Sequence, residues 1–145
     1  MLKTLIILLL APLVSSKLEW QQLSAENELP APRRDSSIGF HRATNRLVIF
    51  GGKGSSIFGD TWLYDLASTT WMKVDATIDS QGVSIPEKRF SMVYGATGDY
   101  FYISTGEYTG PPRTFFNDIL RFSFLNRTWE RLGENSRVKP EERYG

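Results

Sequence analysis

The amino-acid sequence encodes an all-β chain built from a repeated four-stranded antiparallel meander, and three observations carry this expectation. Apolar runs of about five residues, rich in Val, Ile and aromatic side chains, alternate with clusters of Gly, Asn, Asp and Ser, as strands alternate with turns. Aromatic residues make up 13% of the chain, and such rings favour pleated, layered packing over a helical bundle. The order of runs and turns then recurs in the second half of the chain, while no stretch sustains a helical period.

The elements follow in order. Met1-Leu2-Lys3 gives a charged start, Leu5 to Leu10 an apolar run carried on to Val14, and Val14-Ser15-Ser16 a small-residue exit. This is the pattern of a secretory signal peptide over residues 1–16, cleaved before Lys17. The run is shorter than the ~20 residues that span a bilayer, and no later segment reaches that length. Leu18 to Leu23, with Trp20 at its centre, reads as a strand, and Pro30 and Pro32 make the following stretch a loop. Ser36 to Phe40 is a weaker strand, turned by the polar residues His41 to Asn45. Arg46 to Phe50 is strongly strand-like and stops at Gly51-Gly52. A Gly-rich loop leads to strands at Thr61 to Leu66 and Thr70 to Val74, joined by Ala67-Ser68-Thr69. The second copy places strands at Phe90 to Tyr94, Tyr100 to Ser104, Ile119 to Phe124 and Thr128 to Leu132. A third start stands at Pro140 to Gly145.

Spacings support a true repeat. Arg34 to Gly51 and Arg89 to Gly106 are both 17 positions, and Asp60–Tyr64–Trp71 and Asp118–Phe122–Trp129 are both 4 then 7. Gly51 to Asp60 is 9 positions but Gly106 to Asp118 is 12. An alternative register puts Arg33 opposite Arg89, since Pro30-Ala-Pro-Arg33 copies Pro86-Glu-Lys-Arg89. In strands lettered a to d, the constant a–b and c–d turns share one end of the meander. The variable b–c loops and d-to-a connections share the other. Repeat proteins collect insertions on one face, often the binding face.

Phe50-Gly51-Gly52, followed by Asp60, Tyr64 and Trp71, resembles the kelch repeat, a four-stranded blade of a β-propeller. A weaker copy stands at Thr105-Gly106-Glu107, Asp118, Phe122 and Trp129, with Glu107 where the second glycine would fall. The resemblance implies a kelch-like blade over residues 35–75, another over 76–133, and the start of a further one at 134–145. Residues 17–34 then hold a strand of a closing blade plus a loop. A propeller has 4–8 blades, so the expected fold is an incomplete propeller from a truncated chain, with unpaired edges that favour self-association.

The marked residues have physical reasons of their own. Gly51, Gly52 and Gly106 end inner strands where a side chain would block the backbone. Tyr64, Trp71, Phe122 and Trp129 are large enough to fill the wedge between twisted sheets. Because they repeat in every unit, they read as inter-blade core rather than as a sugar-stacking platform.

Chemistry is sparse. Without Lys3 the chain has 16 basic and 16 acidic residues, which gives no electrostatic case for nucleic acid. There is no cysteine and one histidine, His41, expected as a solvated turn residue. The sequence therefore supplies no zinc or copper ligand set, and no catalytic residue, cofactor or metal is expected. Secreted copper-radical oxidases resemble kelch propellers in one domain, but their cysteine-linked tyrosine and histidines have no counterpart here. Asp60 and Asp118, each just before a strand, are expected to bond loop backbone rather than act as acid or base. Asn126-Arg127-Thr128 is an N-glycosylation acceptor.

Binding is expected on the variable loops. The longest, Glu107 to Asn117, carries Tyr108, Arg113, Phe115 and Phe116, types enriched in interface hot spots, although a phenylalanine there can equally pin the loop to its blade. The resemblance implies an extracellular module that binds a protein partner through its b–c and d–a loops. A carbohydrate-binding propeller, or a non-catalytic piece of a larger secreted enzyme, are the alternatives.

Overall fold

A computed structural model describes residues 19–20, 28–78, 82 and 84–133. The expected signal peptide, most of the strand at Leu18 to Leu23 and the third start at Pro140 lie outside the described residues. Glu19 and Trp20 belong to no strand and Trp20 is fully exposed.

Among the described residues, twelve strands form two blades and two small ribbons. Blade 1 consists of β1 (Ser37–His41), β2 (Arg46–Phe50), β3 (Thr61–Asp65) and β4 (Thr70–Val74), antiparallel and in sequence order. A short hairpin follows, β5 (Thr77–Ile78) with β6 (Ser84–Ile85). Blade 2 is β7 (Val93–Thr97), β8 (Tyr100–Ser104), β11 (Ile119–Ser123) and β12 (Thr128–Leu132). Its b–c loop carries the ribbon β9 (Glu107–Tyr108) and β10 (Thr114–Phe115). No helix occurs among the described residues.

Alternation along each strand builds the core. Val48 and Phe50 on β2, with Leu63 on β3, point from blade 1 to blade 2, where Phe101, Ile103, Leu120, Phe122 and Trp129 meet them, all at most 4% exposed. Trp129 is the keystone. Its ring lies 5.2 Å from Phe50 and 6.0 Å from Phe101, and its Nε1 donates to Thr61 Oγ1 across the blades at 2.9 Å. Gly39 leaves room for Phe101, whose ring would stand 2.4 Å from a Cβ at that position. Trp71 holds the place in blade 1 that Trp129 holds in blade 2, opposite Tyr64 as Trp129 is opposite Phe122. It packs at 4.9 Å against Tyr64, on the face of blade 1 turned away from blade 2, and remains half-buried.

The structure corrects the repeat register. Gly51 and Gly52 have φ of 65° and 101°, and Thr105 and Gly106 have 62° and 96°. Thr105 therefore stands for Gly51 and Gly106 for Gly52, which removes the apparent substitution by Glu107. The a–b turn is four residues long in blade 1 (42–45) and two in blade 2 (98–99), while the c–d turn is four in both (66–69 and 124–127). Only the c–d turn is constant, so constant turns do not share one end of the meander. The strand expected at Phe90 to Tyr94 begins at Val93. Ser91 takes φ 56° and breaks the run, and Phe90 pairs in an isolated bridge with Glu107.

Candidate functional site

The b–c loops rest on a repeated arginine clasp. In blade 1, Arg33 donates to both oxygens of Asp60, at 2.6 and 3.0 Å, and to the Gly51 carbonyl at 3.1 Å. Phe58 covers its guanidinium, 4.2 Å from ring centre to Cζ. In blade 2, Arg89 does the same with Asp118, at 2.5 and 3.0 Å, and the Thr105 carbonyl, at 3.3 Å, beneath Phe116 at 3.6 Å. Arg89 is fully buried. Glu87 accepts from both Arg89 and Arg131, and Arg131 also reaches Asp118. The alternative register with Arg33 is thus the structural one.

This arrangement corrects the role expected of the repeated carboxylates. Asp60 and Asp118 bind guanidinium groups, and Asp60 also accepts from Trp62 Nε1 at 2.7 Å. Burial alone would raise the Asp60 carboxyl, but hydrogen bonds from Arg33 and Trp62, with the charge of Arg33, hold it below the usual carboxylate range. Sequence reading missed the arginines as partners. The signal was present in the repeated pairs Phe58/Asp60 and Phe116/Asp118, each with an arginine preceding the first strand of its unit.

His41 also departs from expectation. It is 2% exposed, stacked on Phe124 at 4.6 Å, with Nδ1 2.7 Å from Thr44 Oγ1 and Nε2 3.1 Å from Asp99. Phe124 and Asp99 belong to turns of blade 2, so the histidine pins the two blades together.

The loop residues singled out for binding are distributed rather than gathered. Arg113 forms an ion pair with Glu107 at 2.7 Å and lies over Phe115 at 4.7 Å, its side chain still 57% exposed. Phe116 is the lid of the buried arginine. Tyr108 and Phe116 line a notch of about 380 Å³ with Glu87, Lys88 and Thr114. Next to it lies a cleft of about 560 Å³ between the b–c loop of blade 1 and the d–a connection, with Ile57, Phe58, Ile85, Pro86 and Trp129 on its walls. The two hollows share Glu87 and Lys88. Lys88 is exposed and has no ion-pair partner among the described residues, whereas Glu87 is held by two arginines. Asn126 sits in the c–d turn at the other end of the blade, exposed. Among the described residues, no three His, Asp or Glu side chains are grouped as a metal site.

The two blades repeat the same clasp and the same left-handed turn, and one family model, "KLHDC2/KLHL20/DRC7 Kelch-repeats domain", matches residues 8–145. The chain belongs to the kelch-repeat family. Kelch-repeat domains are in general non-catalytic modules of protein interaction. One curated kelch relative, the dynein regulatory complex subunit 7 of Chlamydomonas reinhardtii, is 34% identical over 59 residues, which is 39% of this chain. The chain spans only 5% of that relative's length. Among solved structures, "Structure of YjhT" matches with a TM-score of 0.64 at 18% identity, over 83% of this chain and 43% of the other. That likeness is one of fold. The described residues hold two kelch blades, short of the 4–8 blades of a closed propeller.

Proposed function

We propose that the chain acts in the secretory pathway or outside the cell, as a kelch module that recognises a protein partner through its b–c and d–a loops. The observation that supports this most is the pair of adjoining hollows at that end of the blades. One has Ile57, Phe58, Ile85, Pro86 and Trp129 among its walls, the other has Tyr108 and Phe116, and Lys88, which has no ion-pair partner among the described residues, is common to both. Apolar walls with a few placed polar groups are what a buried anchor residue needs. The charged start, apolar run and small-residue exit at residues 1–16 supply the secretory part of the reading.

The test is a screen of the full chain against a panel of secreted and cell-surface ectodomains, followed by affinity measurement on the partner found. Tyr108→Ala with Arg113→Ala lowers affinity by tenfold or more, in keeping with hot-spot losses of about 2 kcal/mol. Leu125→Ala, in the opposite c–d turn, leaves it unchanged. Affinity unaltered by the double substitution, or lost with Leu125→Ala, would overturn the reading.

A further inference from the structure

The exposed edge of blade 1 and the c–d turn of blade 2 meet along one groove. β4 is the last strand of its sheet, so one row of its backbone groups has no ladder partner among the described residues. Such an edge invites pairing with another chain. The matching edge of blade 2 is treated differently, because Thr77 Oγ1 accepts from the Trp129 backbone N–H at 3.0 Å and the β5–β6 hairpin lies beside it. Alongside β4 runs a hollow of about 440 Å³ lined by Met72, Lys73, Asp75 and Thr77 on one side and by Asn126 and Thr128 on the other. Arg127 closes one part of it by donating to Met72 Sδ at 3.5 Å.

Asn126 is built for attachment. Asn126, Arg127 and Thr128 are all exposed, and the backbone N–H of Asn126 is held by Ser123 Oγ at 3.1 Å. Arg127 takes φ 59°, so the triplet sits on the tight end of a hairpin. The corresponding turn of blade 1, Leu66-Ala67-Ser68-Thr69, carries no such triplet.

We propose that Asn126 carries an N-linked glycan whose first sugars lie in this groove and screen the edge of β4. The inference rests on the secretory reading given above. The donor is an oligosaccharide carried on a lipid pyrophosphate. A bond forms between Asn126 Nδ2 and the anomeric carbon, the bond from that carbon to the pyrophosphate oxygen breaks, the lipid pyrophosphate leaves, and the amide loses one proton to a base. The glycan adds bulk and hydration where a strand would otherwise approach.

The experiment expresses the full chain in a eukaryotic secretory cell, once with its own N-terminus and once behind a heterologous secretory leader. The N-terminus of the secreted product and the mass of the peptide bearing Asn126 are then read. Product beginning at Lys17, with an amidase-sensitive mass shift lost in both Asn126→Gln and Thr128→Ala, supports the site. The same shift appearing only behind the heterologous leader supports the site and overturns the secretory reading. Unmodified Asn126 in product secreted by either route overturns the site. The groove has its own readout. Unglycosylated Asn126→Gln chain forms concentration-dependent oligomers that Met72→Lys on β4 suppresses, and equal association of the glycosylated and unglycosylated chains would overturn the screening role.

Discussion

Replacing Arg89 with Met removes the centre of the blade 2 clasp while keeping a side chain of similar length. The guanidinium is fully buried and donates to both oxygens of Asp118, to Glu87 and to the Thr105 carbonyl. Methionine fills the space under Phe116 but leaves Asp118, whose side chain is 9% exposed, with Arg131 alone at 3.2 Å. Breaking a buried pair from one side costs about 3–5 kcal/mol, because the remaining charge is left buried. The surviving Arg131 contact places the expected loss near the lower end, about 3 kcal/mol. For a domain whose total stability is about 5–15 kcal/mol, that is a large fraction. Urea unfolding of the full chain, followed by tryptophan fluorescence, measures it. The double variant Arg89→Met/Asp118→Leu tests the cause, since removing both members of the pair leaves neither as a lone buried charge and recovers about 2 kcal/mol. A single-variant loss under about 1 kcal/mol, or a double variant no more stable than the single, would refute the clasp as a coupled buried pair.

Three other outcomes follow from the same geometry. Trp129→Phe keeps an aromatic ring but loses the bond to Thr61, and unfolding should become easier by about 1–3 kcal/mol; a melting point equal to wild type would contradict the keystone role. Thr105→Gly relieves a β-branched residue at φ 62° whose Oγ1 is buried without a partner among the described residues, and a gain of about 1 kcal/mol is expected in the same denaturation assay, whereas a loss would mean that the threonine packs favourably. Asp60 is held below its ordinary pKa, so its contribution is present above the unfolded carboxylate value near 4 and is lost as pH falls through the lower folded value. Stability measured from about pH 6 down to pH 2 should therefore drop more steeply in wild type than in Asp60→Asn; parallel curves would remove Asp60 from the account.

The strands were legible because their sequences carry the signal locally. Arg46 to Phe50 and Tyr100 to Ser104 have the side chains a half-buried pleat requires. What failed was register, where propensity is silent. The equal spacing of 17 positions arose from two slips of one residue, Arg34 for Arg33 and Gly106 for Thr105, and the structural spacings are 18 and 16. The two-residue difference is the shorter a–b turn of blade 2. A threonine in a left-handed conformation hides the repeat from a search for glycine pairs. The site was harder to read. Arg113, Phe115 and Phe116 have the composition of a hot spot, but Arg113 pairs with Glu107 and lies over Phe115, and Phe116 covers Arg89. The apolar cleft beside Pro86 is made by segments distant in sequence, which no local pattern announces. His41 looks like a surface residue in a polar turn and becomes buried only because blade 2 arrives beside it.

The clasp joins an arginine ahead of the first strand to a carboxylate just ahead of the third, and so holds the two feet of the intervening loop at fixed positions. Between those feet the chain is 10 residues long in one blade and 14 in the other, with the same bonds beneath. Length and sequence of the loop are thereby uncoupled from the stability of the sheet. A lineage carrying this device can lengthen, shorten or rewrite one surface of the protein by single insertions without first repairing its core, so that variation there is inherited without loss of fold.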